Sequence, residues 1–225
     1  MTSKKSFKQS LQNNYLSIIA EIKRRSPSKG DLAEIIDPTQ LAETYIQSGA
    51  NAISVLTNTP LFCGSLEDLK KVADHNTSMS ILRKDFITDF AQIDDAIKYG
   101  ANAVLLIVAN LGEKTKVLLE YAKSVNLDAL VEVHTEAEVE LALNIGSEII
   151  GINNRNLKTF YVDTHRALEL KKIIPKDIIT VAESGILNSK LARDYYKAGF
   201  NAVLIGEALV TSKNPAEFIR ACRHE

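Results

Sequence analysis

The chain has 225 residues, of which 45% are hydrophobic and 24% are charged, and its formal net charge is −1. This composition is typical of a globular protein that can form a core without disulfides or metal. The near balance of 27 basic and 28 acidic side chains argues against a nucleic-acid scaffold, although it allows a local basic pocket for an anionic small molecule.

The first ten residues are basic and polar and lack the apolar stretch of a secretion signal. No apolar run approaches the length needed to cross a bilayer. Cys63 and Cys222 are far apart and have neither the spacing of a metal site nor that of a disulfide framework. We therefore expect two reduced thiols, no membrane association and a cytoplasmic protein.

Four segments repeat one pattern, in which a helical stretch passes through a glycine into a short apolar strand: residues 45–56, 97–107, 143–152 and 196–205. Glycine is favoured just past a helix end because it accepts a positive φ. The repeats are roughly fifty residues apart, which is too long for one strand–helix unit and fits two. Four double units predict an α/β fold, a single (β/α)8 TIM barrel.

We predict strands at residues 17–23, 51–56, 78–83, 102–108, 129–133, 148–152, 178–182 and 202–205, with helices at 89–99, 113–125 and 136–145 among others. The strands are mostly continuous apolar runs, as expected for parallel strands covered by helices. No linker divides the chain. We therefore expect one domain over residues 1–225, with residues 1–16 as a short N-terminal extension.

Charged residues end several predicted strands, at the face where such barrels carry their chemistry. Glu21 and Lys23 end the first strand and project to one face, because side chains alternate along a strand. Lys84 ends the third strand, and the same alternation turns Glu132 and Asn153 inward at the ends of the fifth and sixth. Charges inside an apolar barrel are costly unless paired. Their convergence predicts a catalytic site.

Other polar residues near these ends are less informative. Arg24, Arg25 and Lys29 follow the first strand and fit a solvated rim as well as they fit a site. His134 follows the fifth strand, and we expect a packed or rim histidine there.

The loops after the seventh and eighth strands commonly hold phosphate in these barrels. Here they contain Glu183, Ser184 and Gly185, and then Gly206 and Glu207. The glycines let backbone N–H groups approach an anion, and Ser184 adds a hydroxyl group. A carboxylate beside phosphate is unfavourable, so we expect Glu207 to point away.

Seven segments together resemble the indole-3-glycerol-phosphate synthase family: residues 20–30, 54–57, 82–87, 130–134, 151–157, 182–186 and 204–207. The resemblance runs from about residue 17 to the C-terminus. It implies a lyase of tryptophan biosynthesis that closes an indole ring on 1-(2-carboxyphenylamino)-1-deoxyribulose 5-phosphate, with loss of carbon dioxide and water. It also implies that no metal or organic cofactor is needed.

By the same resemblance, Lys84 is the general acid that protonates the ketone oxygen. Lys23 holds the substrate carboxylate and assists the dehydration. Glu132 is the general base that removes the ring proton, Glu21 holds the lysines, and Asn153 binds the sugar hydroxyl groups. The reaction makes physical sense of these residues, because a weak carbon nucleophile needs a ketone activated by a positioned acid.

The remaining site residues follow from the same resemblance. Ser26, Ser184, Gly185 and Gly206 are expected to bind phosphate, in loops that also contain Glu183. Phe86 and Phe62 are expected to pack on the aromatic ring, and Arg155 to support the charge network.

In one respect the chain departs from the family pattern. The family usually has a longer N-terminal extension, often helical, that helps to cover the pocket. Here about sixteen residues precede the first strand, in which Phe7 and Leu11 form one apolar stripe, so we expect the aromatic side of the pocket to be more exposed. As partners we expect a phosphorylated small molecule and neither nucleic acid nor membrane. The chain is expected to be a monomer or weak homodimer, and association with other tryptophan-pathway enzymes stays open.

Three other functions remain open. The first is another phosphosugar enzyme on this fold, such as phosphoribosylanthranilate isomerase, although Lys23 and Asn153 stand where a Cys base and an Asp acid are expected. The second is a Schiff-base aldolase in which Lys23 or Lys84 is the nucleophile. The third is a non-catalytic ligand-binding barrel.

Overall fold

Eight parallel strands close into a barrel in this computed structural model, which describes residues 5–76 and 78–223. Each strand is hydrogen-bonded to the strands before and after it in the chain, and the last pairs with the first. The strands are β1 Ser17–Ile22, β2 Ala52–Leu56, β3 Ser80–Lys84, β4 Ala103–Ile107, β5 Asp128–Val133, β6 Ile149–Asn153, β7 Ile179–Glu183 and β8 Ala202–Ile205.

Helices surround the barrel and also close its lower end. They are α1 Phe7–Leu11, α2 Pro38–Gln47, α3 Thr59–Phe62, α4 Leu66–His75, α5 Phe90–Lys98, α6 Val108–Leu111, α7 Lys114–Ser124, α8 Glu136–Asn144, α9 His165–Lys171, α10 Ser189–Lys197, α11 Glu207–Val210 and α12 Pro215–Ala221. A short antiparallel hairpin, Arg25–Ser26 with Gly30–Asp31, follows β1. The predicted fold class is therefore confirmed. No helix in the described part of the chain is long and apolar enough to cross a membrane.

Two apolar cores result from the alternation of side chains along the strands. Ile19, Leu82, Leu130 and Val181 belong to the core inside the barrel. The neighbouring side chains, such as Ile22, pack outward with the helices. The inward positions two residues further along β1, β3, β5 and β7 are polar, so each of these strands contributes first to the core and then to the mouth of the barrel.

The sequence repeat has a structural role at the lower end of the barrel. Its four glycines, Gly49, Gly100, Gly146 and Gly199, all have positive φ, between 73° and 100°. In three of the repeats an asparagine two residues after the glycine accepts a backbone N–H from the preceding strand. The bonds are Ile18 N to Asn51 Oδ1 at 3.0 Å, Ile81 N to Asn102 Oδ1 at 2.9 Å and Thr180 N to Asn201 Oδ1 at 2.9 Å.

The N-terminal helix corrects one expectation. Phe7 and Leu11 are fully buried and pack with the side chains inside the barrel, at the end opposite the predicted site. The Lys8 N–H donates to Asp128 Oδ2 at 2.8 Å, and Ser80 Oγ donates to the Lys5 carbonyl at 2.8 Å, both at the start of a strand. The described part of the extension, residues 5–16, therefore closes the bottom of the barrel, because the apolar interior needs cover there, and it is not a lid on the pocket. Residues 1–4 lie outside the described residues.

Replacing Asn102 by alanine is expected to lower the free energy of unfolding by about 1–3 kcal/mol, because the partly buried Ile81 N–H loses its acceptor. Urea unfolding of the variant and the parent measures the change. Asn144→Ala, an exposed asparagine at the end of α8, is the matched control. Equal stability of the two variants would contradict the role assigned to the repeated asparagine.

Candidate active site

A cavity of about 330 Å³ opens at the C-terminal ends of the strands. Its walls come from strand ends and from the loops that follow them, so residues distant in the chain meet there. All thirteen predicted site residues line it: Glu21, Lys23, Ser26, Phe62, Lys84, Phe86, Glu132, Asn153, Arg155, Glu183, Ser184, Gly185 and Gly206.

Two ammonium groups and three carboxyl groups lie together at the bottom of this cavity. Lys23 Nζ is 2.8 Å from Glu21 Oε1. Lys84 Nζ is 3.4 Å from Glu132 Oε2 and 3.7 Å from Glu183 Oε2. The three carboxyl side chains are almost fully buried, and 15–16% of each lysine side chain is exposed. We call these five residues the charged cluster.

The charged cluster shifts the protonation of two of its members. Burial by itself would lower the pKa of Lys84, but the carboxyl groups of Glu132, Glu183 and Glu21 outweigh it and hold this pKa above its usual value. Burial, together with the negative charge of Glu132, raises the pKa of Glu183 to about 8, against the opposing effect of Lys84. Near neutral pH, Lys84 is therefore an ammonium ion and Glu183 is largely a neutral acid.

Glu183 does not occupy the place that the sequence interpretation gave it. The sequence predicts that its loop holds phosphate, but its carboxyl group points into the charged cluster, and its Oε1 has no hydrogen-bond partner in the described structure. The alternation of side chains in the sequence indicates this inward direction of Glu183. Glu183 lies two residues after Val181, which faces the interior, so alternation turns both inward.

Gly206 is needed for the close approach of Glu21 and Lys23. A Cβ atom at this position would lie 2.3 Å from Glu21 Oε1 and 3.0 Å from Lys23 Nζ. Any larger residue would therefore displace this ion pair. The sequence suggested only a phosphate contact for Gly206, and the packing of the ion pair against it could not be inferred from β8 alone.

Asn153 links the charged cluster to Arg155, in the loop after β6. Its Nδ2 donates to Glu132 Oε1 at 3.0 Å, and its Oδ1 accepts the Arg155 N–H at 2.9 Å. The Arg155 guanidinium group donates to Ser28 Oγ at 3.1 Å and to the Phe160 carbonyl at 3.2 Å. Arg155 therefore braces the loop after β1 and, among the described residues, forms no ion pair with a carboxyl group of the charged cluster.

The loop after β7 has an unusual backbone. Ser184 and Gly185 have φ values of 65° and 77°, and a positive φ is uncommon for a residue other than glycine. Asn154, which is fully buried, holds this turn by donating to the Ser184 carbonyl at 3.0 Å. Across the cavity, the Ser26 hydroxyl is buried without a partner in the described structure. Strain of this kind is found at functional sites.

Glu207 is held by a lysine from another loop. Its carboxylate pairs with Lys29, which links the hairpin after β1 to the start of α11. From the sequence, Arg24, Arg25 and Lys29 fit either a solvated rim or a site. Of these three residues, Lys29 approaches the mouth of the cavity. Arg24 pairs with Asp68 of α4 at 2.6 Å, and Arg25 pairs with Asp31 within the exposed hairpin at 2.6 Å.

Two aromatic rings form the other side of the cavity. The centroids of Phe62 and Phe86 are 6.4 Å apart. Asp85 connects their two loops, since it accepts the Thr57 hydroxyl at 2.6 Å, the Asn58 amide at 3.2 Å and the Phe86 N–H at 2.8 Å. The sequence interpretation did not include Asp85. Its contacts cross from one strand end to the next, so they depend on the closed sheet.

His134 is packed, which is one of the two placements expected from the sequence, and it lies against the charged cluster. Only 9% of its side chain is exposed, and its Nε2 is 3.5 Å from Glu132 Oε1. Its Nδ1 is 3.3 Å from Glu138 Oε2 on α8. His134 follows Glu132 by two residues, so the same alternation that turned Glu132 inward could have identified it.

The family model described as indole-3-glycerol phosphate synthase matches residues 1–222. Similar proteins include the indole-3-glycerol phosphate synthases of Rhodococcus jostii, 47% identical over 93% of this chain and 79% of the relative, and of Exiguobacterium sibiricum, 46% identical over 96% and 84%. That of Kineococcus radiotolerans is 45% identical over 93% of this chain and 78% of the relative.

Solved structures with much lower identity share the fold. A 3-hexulose-6-phosphate synthase from Salmonella typhimurium superposes with a TM-score of 0.74 at 14% identity, over 92% of this chain and 96% of that one. A thiamine phosphate pyrophosphorylase from Pyrococcus furiosus gives a TM-score of 0.68 at 17% identity, over 94% and 95%. These two structures support only the barrel fold, whereas the family match and the relatives at 45–47% identity show the family. The chain belongs to the indole-3-glycerol phosphate synthase family.

Proposed function

We propose that this chain uses the charged cluster to catalyse the family's reaction in tryptophan biosynthesis. 1-(2-carboxyphenylamino)-1-deoxyribulose 5-phosphate is closed to an indole ring, with loss of carbon dioxide and water, to give indole-3-glycerol phosphate. The observation that carries the proposal is the meeting of two ammonium groups and three carboxyl groups in one cavity with an aromatic side. Lysines and carboxyl groups supply every proton transfer, and no metal or organic cofactor takes part.

Lys84 is the general acid of the ring closure. The aromatic carbon is a weak nucleophile, so the ketone oxygen must be protonated as the new carbon–carbon bond forms. The raised pKa of Lys84 keeps its proton available at neutral pH. The same charge state argues against Lys84 as a Schiff-base nucleophile, which needs a neutral amine.

Lys23 holds the carboxylate that leaves as carbon dioxide and later donates a proton to the departing hydroxyl group. Glu21, at 2.8 Å, fixes its position. Expulsion of carbon dioxide restores the aromatic ring, so this step needs little beyond orientation. Lys23 and Asn153 stand where an isomerase of this fold is expected to have a cysteine and an aspartate, and this disfavours the isomerase alternative.

Glu132 is the general base that removes the proton from the newly closed ring. Asn153 holds its Oε1 and binds the sugar hydroxyl groups, so that Oε2 faces Lys84 and the cavity. Glu183, largely neutral near pH 7, stands next to Lys84 without neutralising it. We therefore place Glu183 with the catalytic residues and not with the phosphate.

The remote parts of the substrate bind at the two sides of the cavity. Ser26, Ser184, Gly185 and Gly206 form the phosphate site, and Lys29 offsets the charge of the Glu207 carboxylate, which also lines the cavity. Phe62 and Phe86 pack on the aromatic ring, with Arg155 bracing the loop above it. Binding energy from these contacts orients the reacting groups.

The partner of this enzyme is thus a phosphorylated small molecule. We further propose a single domain over residues 1–225, which acts as a monomer or weak homodimer in the cytoplasm without binding nucleic acid or membrane. Closure of the barrel within residues 17–205 supports one domain, and the free thiols of Cys63 and Cys222 fit a reducing compartment. The oligomeric state and association with other tryptophan-pathway enzymes stay predictions.

Lys84→Ala and Glu132→Gln are each expected to lower kcat by about 10²–10⁴-fold, the usual contribution of a positioned acid or base. Fluorescence of the indole product measures turnover, and circular dichroism checks the fold. Lys116→Ala, on the exposed face of α7, should keep the parent rate. Rates near the parent's in either cluster variant would remove that residue from the proposed chemistry.

Lys23→Ala is expected to raise KM and lower kcat together, because Lys23 contacts the substrate carboxylate before the reaction and the leaving hydroxyl group during it. A loss of about ten-fold or more in kcat/KM is expected from a charge-assisted contact. Steady-state kinetics with the named substrate would measure both constants. Unchanged kinetics would place Lys23 outside the site.

Glu183→Gln is expected to reduce the loss of stability at alkaline pH. The folded-state pKa of Glu183, about 8, is above its ordinary value of 4.5, so its contribution is present below pH 4.5 and is lost as the pH rises through 8. Glutamine removes this contribution. The Tm of Glu183→Gln minus the Tm of the parent should then be roughly 2–4 °C larger at about pH 9 than at about pH 5.

The control for this measurement is Glu120→Gln, an exposed carboxyl group on α7. It should follow the parent at both pH values. A Glu183→Gln protein that loses as much stability between the two pH values as the parent would contradict the burial argument.

A further inference from the structure

The imidazole ring of His134 lies between two carboxyl groups. Nδ1 is 3.3 Å from Glu138 Oε2, on the first turn of α8, and Nε2 is 3.5 Å from Glu132 Oε1. The Nε2 atom is buried and makes no hydrogen bond within the described structure. A buried polar atom directed at the proposed base needs a physical explanation.

Glu138 determines where the first imidazole proton lies. Burial by itself would raise the pKa of Glu138, but hydrogen bonds from the His134 ring and backbone outweigh it and hold this pKa below its usual value. Glu138 is therefore ionised and can only accept. It takes the backbone N–H of His134 at 2.7 Å, and Nδ1 must carry a proton to bond to the same oxygen.

With Nδ1 protonated, the state of Nε2 decides the contact with Glu132. A neutral ring would direct a lone pair at the Oε1 lone pairs, which is repulsive. An imidazolium ring directs an N–H at the same oxygen, and the contact becomes charge-assisted. Because Oε1 already accepts from Asn153 at 3.0 Å, a second donor would fix both of its acceptor directions.

We propose that His134, held by Glu138, is a positioning residue for Glu132. In its imidazolium form it holds Oε1 together with Asn153, so that Oε2 stays turned towards Lys84 and the cavity as the atom that takes up the substrate proton. His134 exchanges no proton with the substrate. This inference rests on the proposed role of Glu132 as general base.

The surroundings of the ring fit this assignment. Among the described residues, the charged groups within ion-pair distance of His134 are Glu132 on its own strand and Glu138 on the next helix. The neighbouring strand β6 contributes the uncharged Asn153, and Lys84 and Glu183 lie beyond Glu132. A carboxyl oxygen thus lies near each of the two ring nitrogens, and each of these oxygens can accept an N–H from the ring.

Loss of the positioning contact should lower kcat, whereas substrate binding, which uses other residues, should change little.

Two substitutions separate the contacts of the ring. Glutamine at 134 places its amide near the position of Nε2, and the shorter asparagine places it near Nδ1. His134→Asn should keep the link to Glu138, lose the contact to Glu132 and lower kcat about ten-fold with KM changed less than about two-fold. His134→Gln should retain kcat within about three-fold, since its amide can still donate to Glu132 Oε1.

Steady-state kcat and KM of the parent and both variants test the proposal, with circular dichroism as the check on folding. Parent-like kinetics in His134→Asn, or equal losses in both variants, would overturn it. If His134→Asn fails to fold, Glu138→Gln serves instead. It should lower kcat with little change in KM, and parent-like kinetics would also overturn the proposal.

His75→Asn is the matched control, since that ring is half-exposed on α4 and pairs with Glu43 away from the cavity. It should behave as the parent. Failure of the parent to form indole product would count against the proposed function. A parent that turns over, with parent-like kinetics in His134→Asn, would count against the role of His134 alone.

Discussion

Burial of Lys84 between Glu132 and Glu183 is the interaction on which the rest of this structure depends. An ammonium group inside an apolar barrel is stable only if carboxyl groups face it, and the carboxyl groups likewise need the ammonium group. Neither Glu132 nor Glu183 has a basic residue on its own strand with which it could pair, so the barrel must close before the charges meet. Burial, together with the excess of carboxyl groups, then leaves Glu183 largely protonated near neutral pH. One cluster thus holds a charged proton donor, the proposed base and a neutral acid within a few ångströms.

The same alternation of side chains builds the core and the site. On β3 the inward side chains are Leu82 and then Lys84, on β5 Leu130 and then Glu132, and on β7 Val181 and then Glu183. Apolar residues fill the lower layers, where burial stabilises the fold, and polar residues occupy the last layer, where the cavity opens. A rigid sheet carries the catalytic groups as a result, and the loops contribute contacts to the remote parts of the substrate.

The two ends of the barrel divide stability from chemistry. At the lower end, α1 covers the apolar interior, and the repeated asparagines bind the starts of β1, β3 and β7. At the upper end, strained and closely packed positions are retained, such as Ser184 with its positive φ and Gly206 against the Glu21–Lys23 pair. Buried carboxyl groups and strained turns cost stability, and their concentration around one cavity is typical of a functional site.

The sequence by itself determined the fold, the strands to within two residues and the inward direction of Glu21, Lys84, Glu132 and Asn153, because the glycine repeat and the alternation of side chains are local properties of the chain. The tertiary structure decided which groups meet. Glu183 joins Lys84, His134 lies between Glu132 and Glu138, Gly206 makes room for Glu21, and Phe7 and Leu11 close the bottom and not the pocket. These contacts depend on the closure of the sheet and on the register between strands, which bring together residues that no local pattern relates.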